Sequence, residues 1–365
     1  MTGRGKGRRK ISYRSQPAPH IRAGKTTRGV MWDAIVALSF LYAMATYYHG
    51  PRALVLGIGS ALVCSLCDLF ATLACKRKPN IRDFSAVVTG LILPLMMPAS
   101  IPYHIVVIAG VFAIFVAKAP FGGTGHNVFN PAVAGFSFVV FCFGDTLFTY
   151  PPPDMTLPLW GPIEFIVQAS PARIMMLEGT PGHGVLDMLL GNYPGPMGAT
   201  NILILIACLL YLVFRGTVRW SLPFSFFASV AAFAFLFPRG AATGIASVGF
   251  ELAVGLVFFG GIFLLGDPVT TPRRESARVA FGICSGIVVM LFRYFGGVGE
   301  GREELMTYAL LLMNAACWSF DMAAEWLAGR IRRARFESQN PWLAGHMRRK
   351  RFEAENAAGA GKKVP

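Results

Sequence analysis

Acidic residues are scarce in this chain: 19 Asp and Glu stand against 34 Lys and Arg, giving a net charge of +15 over 365 residues. Metal ligands are equally thin, with six histidines and seven cysteines. Cys64, Cys67, Cys75, Cys142, Cys208, Cys284 and Cys317 all fall inside or at the edge of apolar runs, so no disulfide framework is indicated. Cys64-Ser65-Leu66-Cys67 has C-x-x-C spacing, but no second cysteine pair or histidine stands near it, and it reads as packing within an apolar helix. The arm Met1–Arg28 lacks the apolar core of a signal peptide and is expected to be retained. Charge of either sign is only 15% of the chain, well below the usage of a soluble domain.

What fills the space is apolar. Hydrophobic residues make up 54% of the sequence, with 30 Phe and a mean hydropathy of +0.52. Runs that approach the roughly 20 residues needed to cross a bilayer lie near Met31–Tyr48, Ala53–Cys75, Phe84–Met97, His104–Ala119 and Val128–Phe143. A second set covers Thr200–Phe214, Trp220–Phe237, Phe250–Leu265, Val279–Phe292 and Leu305–Phe320. The expected fold is an all-α polytopic membrane protein of about ten transmembrane helices. Five spans per half is an odd number, so a tandem repeat of that unit must be inverted in the membrane, and two five-helix inverted repeats are expected.

Charge tests this topology independently, because Lys and Arg collect in cytoplasmic loops. Of the 34 basic residues, 29 fall in one set of alternate segments: the amino-terminal arm, the Lys76–Arg82 loop, Lys118, the Arg215–Arg219 and Arg273–Arg278 loops, and the tail from Arg330. Arg52, Arg173, Arg239, Arg293 and Arg302 belong to the other set. Both termini are therefore expected to be cytoplasmic. The loop from Gly144 to Gly198, bearing Asp145, Asp154, Glu164, Glu178 and Asp187, is expected outside. The chain accordingly divides into a basic arm (1–30), a first membrane half (31–143), an extracytoplasmic loop (144–198), a second membrane half (199–321) and a basic tail (322–365). Insertion topology and anionic lipid account for the positive charge, so membrane lipid is an expected partner and nucleic acid is not.

Two motifs interrupt the apolar pattern at comparable places, the entry to the fifth span and the exit of the eighth. They are Gly122-Gly123-Thr124-Gly125-His126-Asn127-Val128-Phe129-Asn130-Pro131 and Gly266-Asp267-Pro268-Val269-Thr270. Glycine, proline and small hydrogen-bonding side chains suit broken helices that line a polar site. Asn130 and Asp267 each precede a proline, and Asx-Pro turn and capping chemistry would explain them equally well. Ionisable residues in or beside apolar runs are costly and mark ion paths; Asp33, Asp68 and Glu251 are the candidates here, with a structural role at the membrane surface open for Asp33. A third motif, Gly195-Pro196-Met197-Gly198-Ala199-Thr200-Asn201, places one threonine at the mouth of the sixth span, where an N-cap would also use it.

Pro19-His20-Ile21, Met31-Trp32-Asp33, Val88-Thr89-Gly90, Ala117-Lys118, Gly122-Gly123, Phe129-Asn130-Pro131-Ala132, Gly266-Asp267-Pro268-Val269-Thr270 and Leu311-Leu312-Met313-Asn314 follow one another in the order and spacing of a known family. From about Pro19 to Asp321 the chain resembles the RnfD/NqrB family, membrane subunits of the Rnf electron-transport complex and of the sodium-pumping quinone reductase. The resemblance implies that Thr200 carries FMN esterified through its phosphate by a flavin transferase acting outside the membrane, with Gly198 and Ala199 leaving room for that enzyme. It also implies a noncovalent riboflavin, for which Asn130, Asp267 and Thr270 are candidate scaffolding. The implied activity is that of one subunit of an ion-translocating oxidoreductase, working only with the other subunits of its complex and coupling electron transfer to Na+ or H+ movement. From the residues alone, a flavin-free channel or secondary transporter of the same architecture, or a scaffold without cofactor, remains open. A Thr200→Ala variant separates these.

Overall fold

The computed structural model describes residues 26–76, 83–161, 165–178, 182–239, 243–296 and 305–339. The basic arm to Lys25 with Pro19-His20-Ile21, the loop cations Arg77, Lys78 and Arg82, Glu164, Arg302 and the run Arg348-Arg349-Lys350-Arg351 lie outside the described residues. Thirteen helices follow in order among them: α1 (Thr27–His49), α2 (Arg52–Ala74), α3 (Ser85–Leu95), α4 (Tyr103–Phe115), α5 (Pro131–Leu147), α6 (Pro171–Glu178), α7 (Val185–Leu190), α8 (Ile202–Phe214), α9 (Ser221–Leu236), α10 (Gly244–Ala253), α11 (Val257–Phe259), α12 (Glu275–Phe295) and α13 (Met306–Gln339). A π-helical turn over Gly260–Leu264 continues α11. Apart from one isolated bridge between Tyr150 and Gln168, the regular structure among the described residues is helical.

Three helices, α1, α2 and α12, are each long and apolar enough to cross a bilayer, and the pair α10 with α11 and its π turn, bent by 70°, makes a fourth. Five shorter apolar helices of 11 to 17 residues, α3, α4, α5, α8 and α9, complete the membrane body together with α13. Local chemistry sets the ends. Asn130 caps α5 by accepting from the N–H groups of Ala132 and Val133, and Pro131 occupies the first helical position, where its missing donor costs nothing. Gly50, at φ +78°, closes α1 in a conformation that disfavours other residues.

The two halves pack in matching ways. In the first, α2 lies on α3 and α4, and α4 on α5; in the second, α9 lies on α10 and α12, and α12 on α13. Contacts between α1 and α8 and between α5 and α13 join the halves, and each pairs an element with its counterpart. That is the pattern a two-fold exchange of five-helix units produces. Small residues permit the close approaches: a Cβ on Gly282 or Gly286 of α12 would fall 2.0 or 1.9 Å from Ser225 Oγ or Ser229 Oγ of α9.

Several span limits differ from the sequence expectation. The expected Phe250–Leu265 span is a broken one that begins at Gly244 and turns at Val254–Leu256. The expected tail boundary at residue 322 falls inside α13, which runs on to Gln339. Helix α5 extends past Phe143 to Leu147, with a kink at Phe143.

Candidate functional site

Asn130 and Asp267, 137 positions apart, line one cavity. It encloses about 90 Å³ and lies where α1, α3, the start of α5, the end of α8 and the π turn meet. Its location between elements of both halves is typical of small-molecule sites. Met31, Val88, Ile92, Leu212, Val218 and Phe263 give it apolar walls. Lys118, Ser85, Thr89, Thr124, Asn127 and Thr217 add polar groups beside Asn130 and Asp267.

Capping and site chemistry coexist at the two proline motifs. The Asn130 amide caps α5 through Oδ1, and its Nδ2 donates to the Leu264 carbonyl at 3.2 Å, tying the first half to the π turn of the second. Such π turns leave carbonyls without their usual helical partners and gather at functional sites. Asp267 shapes its own turn: Oδ1 accepts from Val269 N at 3.2 Å, and Oδ2 from Thr270 Oγ1 at 3.3 Å. Burial raises the Asp267 carboxyl above its ordinary value of 3.8, opposed by those two hydrogen bonds. Thr270 is buried and does not line the cavity, so it acts through Asp267.

One corner of the cavity holds an ion pair whose two members the sequence offered separately, Lys118 as a topological charge and Asp68 as an ion-path candidate. Lys118 Nζ lies 3.0 Å from Asp68 Oδ1 and donates to Ser85 Oγ at 2.8 Å. Asp83 accepts from Ser85 N and from Thr124 Oγ1. A lysine embedded in the apolar run Ile114–Pro120 was the available signal. Asp33 proves to be a clamp: its carboxylate accepts from Arg215 Nε at 2.9 Å and Thr217 Oγ1 at 2.6 Å, fastening α1 to the turn after α8 beside the cavity. Glu251 is fully buried near the opposite end, 2.7 Å from Arg293 Nε and 3.4 Å from Arg239 Nε.

Thr200 stands apart from this cavity, at the other end of α8. Twelve residues of helical rise separate it from Leu212, roughly 18 Å. The N-cap of α8 is Asn201, whose Oδ1 accepts from Ile204 N at 3.0 Å, so Thr200 precedes the cap. The residue is 5% exposed. Its segment is seated on the end of α3 by Met197 N donating to Met97 O at 3.0 Å and Gly198 N to Leu95 O at 2.8 Å. A Cβ on Gly198 would lie 2.6 Å from Leu95 Cβ, so this glycine serves close packing; the room expected at Gly198 and the buried Ala199 for a modifying enzyme is not present in this conformation.

Fold and cavity together define a polytopic membrane protein with a cavity of mixed apolar and polar lining between its two halves. Residues 14–325 match the model of the NQR2, RnfD, RnfE family, and the chain belongs to it. A relative from Acetobacterium woodii, named as the D component of a Na(+)-translocating ferredoxin:NAD(+) oxidoreductase complex, is 30% identical over 304 residues, 82% of this chain and 89% of that protein. The D component of the proton-translocating ferredoxin:NAD(+) oxidoreductase complex of Clostridium ljungdahlii is 29% identical over 309 residues, covering 82% and 90%. The corresponding component of the ion-translocating oxidoreductase complex of Salmonella paratyphi A is 28% identical over 338 residues, covering 83% and 94%.

Proposed function

We propose that this chain is the flavin-carrying, RnfD-type subunit of an ion-translocating oxidoreductase complex, active only with its partner subunits and coupling electron transfer to Na+ or H+ movement. The convergence of the Asn130 and Asp267 motifs on one cavity is the observation that carries the reading, set beside the complexes in which the relatives are named. The noncovalent flavin, riboflavin in the first instance, belongs in this cavity. A flat apolar ring system suits walls of Met31, Val88, Ile92 and Phe263, and the polar edge of such a ring suits Thr89, Asn127, Asp267 and Lys118. Bound flavin supplies one- and two-electron chemistry. The protein's share is to orient the ring, exclude water and present charge and protons at its edge.

FMN linked through its phosphate to Thr200, placed there by a flavin transferase, is the second part of the proposal. Attachment at a helix amino terminus favours the negative phosphodiester. With Thr200 buried, the proposal requires that the transferase act before the 191–201 segment seats on α3, or while it swings out. Among the described residues Arg28, Lys76, Arg215, Arg219, Arg273, Arg274, Arg278 and Arg330 stand at the cavity end, and Arg52, Arg173, Arg239 and Arg293 at the Thr200 end. This bias supports an inner-membrane orientation with the cavity and both termini toward the cytoplasm and Thr200 outside.

The test is flavin fluorescence in a denaturing gel with intact mass, on wild type and Thr200→Ala coexpressed with a flavin transferase. A fluorescent, mass-shifted wild type and a dark variant are expected. A dark, unshifted wild type removes the covalent flavin and moves transport or scaffolding ahead. The cavity is tested separately by Val88→Trp, which fills it and is expected to lose acid-extractable flavin.

A further inference from the structure

We infer that Lys118, Ser85, Thr124 and Asp83, with Asp68, form a proton relay that joins the cavity between the halves to a second, water-accessible cavity beside it. The inference rests on the cavity's holding flavin.

The second cavity is polar, encloses about 280 Å³, and lies against the carboxyl end of α2 and the loop after α4. Asp68 and Asp83 line it; Lys118 and Ser85 line the first cavity; Thr124 lines both. Hydrogen bonds cross the wall without a gap. Lys118 Nζ donates to Ser85 Oγ at 2.8 Å, Ser85 Oγ and Thr124 Oγ1 are 2.7 Å apart, and Thr124 Oγ1 donates to Asp83 Oδ2 at 2.9 Å. A shorter branch runs from Lys118 Nζ to Asp68 Oδ1 at 3.0 Å. Exposure is graded along that branch, 3% for the Lys118 side chain and 25% for Asp68, so the counter-ion is the more open of the two and faces the second cavity.

A structural ion pair would require no more than Lys118 and Asp68. The hydroxyls and the second carboxylate are built in at a cost to the backbone. Phe84 adopts a left-handed φ of +56°, a strained choice for an aromatic residue, and Asp83 Oδ1 accepts from Ser85 N across that turn. Positive φ values at Gly123 and Gly125 carry the loop round so that Thr124 reaches the wall. Among the described residues, Asp267 across the first cavity and Arg28, stacked over the Phe84 ring at 5.5 Å, are further charged groups near the relay.

Reduction of a bound flavin by a partner subunit would call for one proton at the cavity wall, and Lys118 would be the group that gives it up there. The neutral amine would then be recharged from water of the second cavity: the Asp68 carboxylate takes up a proton and hands it to Lys118 Nζ, or the Asp83 carboxylate takes it up and passes it through Thr124 and Ser85 once the hydroxyls turn round, each carboxylate ending as it began. Each transfer moves one proton and no electron, and the electron is the partner's.

The test uses the intact complex carrying K118R or D83N. Arginine keeps the positive charge but does not give up a proton at accessible pH. K118R is expected to retain flavin, to slow single-turnover reduction of the cavity flavin about 100-fold, and to be accelerated by acid or added imidazole, as loss of a general acid predicts. The oxidised-minus-reduced infrared spectrum of wild type should contain a carboxyl signal that D83N abolishes. K118R at the wild-type rate with full flavin and no response to imidazole would make Lys118 a fixed charge and overturn the relay while leaving the cavity reading intact. Full flavin retention in Val88→Trp would overturn the cavity reading and the relay together. Should K118R lose its flavin, D83N, which lies off the flavin cavity, decides by the same imidazole response and infrared signal.

Discussion

Glu251 shows how much a single residue can carry here. It is fully buried and offers its carboxylate to Arg293 and Arg239, while Arg293 Nη2 also donates to the Val254 carbonyl at 2.9 Å. The carboxylate thus links α10 at its break to α12 and to the end of α9. Removing it leaves two guanidinium groups in a low-dielectric interior, and breaking such a buried pair costs about 3–5 kcal/mol. Glu251→Ala is therefore expected to lower the thermal transition of the purified protein sharply, with Glu251→Gln intermediate, and a wild-type transition in both would show the cluster to be solvated. In the sequence Glu251 reads as an ion-path residue because its two partners lie 12 residues before it and 42 after it, beyond the reach of any local pattern. Asp267 is legible in part: its turn chemistry follows from the proline after it, but its meeting with Asn130 does not. Because burial raises its pKa, the stability it contributes is fully present below about 3.8, its ordinary value, and is lost as pH rises through the higher folded-state value. Asp267→Asn should flatten that acid limb of a plot of transition temperature against pH, and an unchanged limb would mean that another carboxylate sets it.

Helices in this molecule are defined by their breaks as much as by their apolar faces. Ten apolar segments and their grouping into halves were readable from hydropathy, since each helix had to bury its backbone polar groups internally. The bend between α10 and α11 was not. Val254-Gly255-Leu256 continues the apolar run, and only the chain geometry, with Gly255 at φ +75°, shows the turn. Nor was the length of α13, whose hydropathy falls after Phe320 although the residues to Gln339 remain good helix formers. Small residues, by contrast, are a legible packing signal once partners are known. Gly282 and Gly286 stand one helical turn apart on α12 and receive Ser225 and Ser229 of α9. Gly286→Val forces its Cβ onto Ser229 Oγ and the Phe226 carbonyl, so overpacking should cost about 1–3 kcal/mol. The same substitution at Gly59, with no atom within 4 Å of its Cβ position, should leave the transition nearly unchanged, and equal effects at both would refute the close approach. Gly198→Ala adds a related expectation: displaced from Leu95, the segment should seat less firmly, and the folded, unmodified protein should become a better substrate for a flavin transferase in vitro.

Across the whole molecule the candidate sites lie at opposite ends of α8, one in a cavity enclosed by both halves and the other on a segment seated against α3. The family motifs located both in the sequence, and the span Thr200–Phe214 already put Thr200 and the Arg215–Arg219 loop at its opposite ends; what emerged only with the fold is that the Asn130 and Asp267 motifs meet beside Leu212 and Thr217 in one cavity. None of the residues lining the cavity belongs to the 191–201 segment, and roughly 18 Å of helical rise lies between Thr200 and Leu212. Sites that far apart with no shared partner behave independently. The noncovalent and covalent flavins should accordingly fill without regard to each other: Thr200→Ala should keep its acid-extractable flavin and lose the fluorescent band, Val88→Trp should do the reverse, and the double variant should lose both. Electron flow through the complex should fail in each single variant, because a chain of carriers in series is broken by the loss of either. Loss of the extractable flavin in Thr200→Ala would mean that the two sites are coupled through α8, and the order of assembly would then be the quantity to measure.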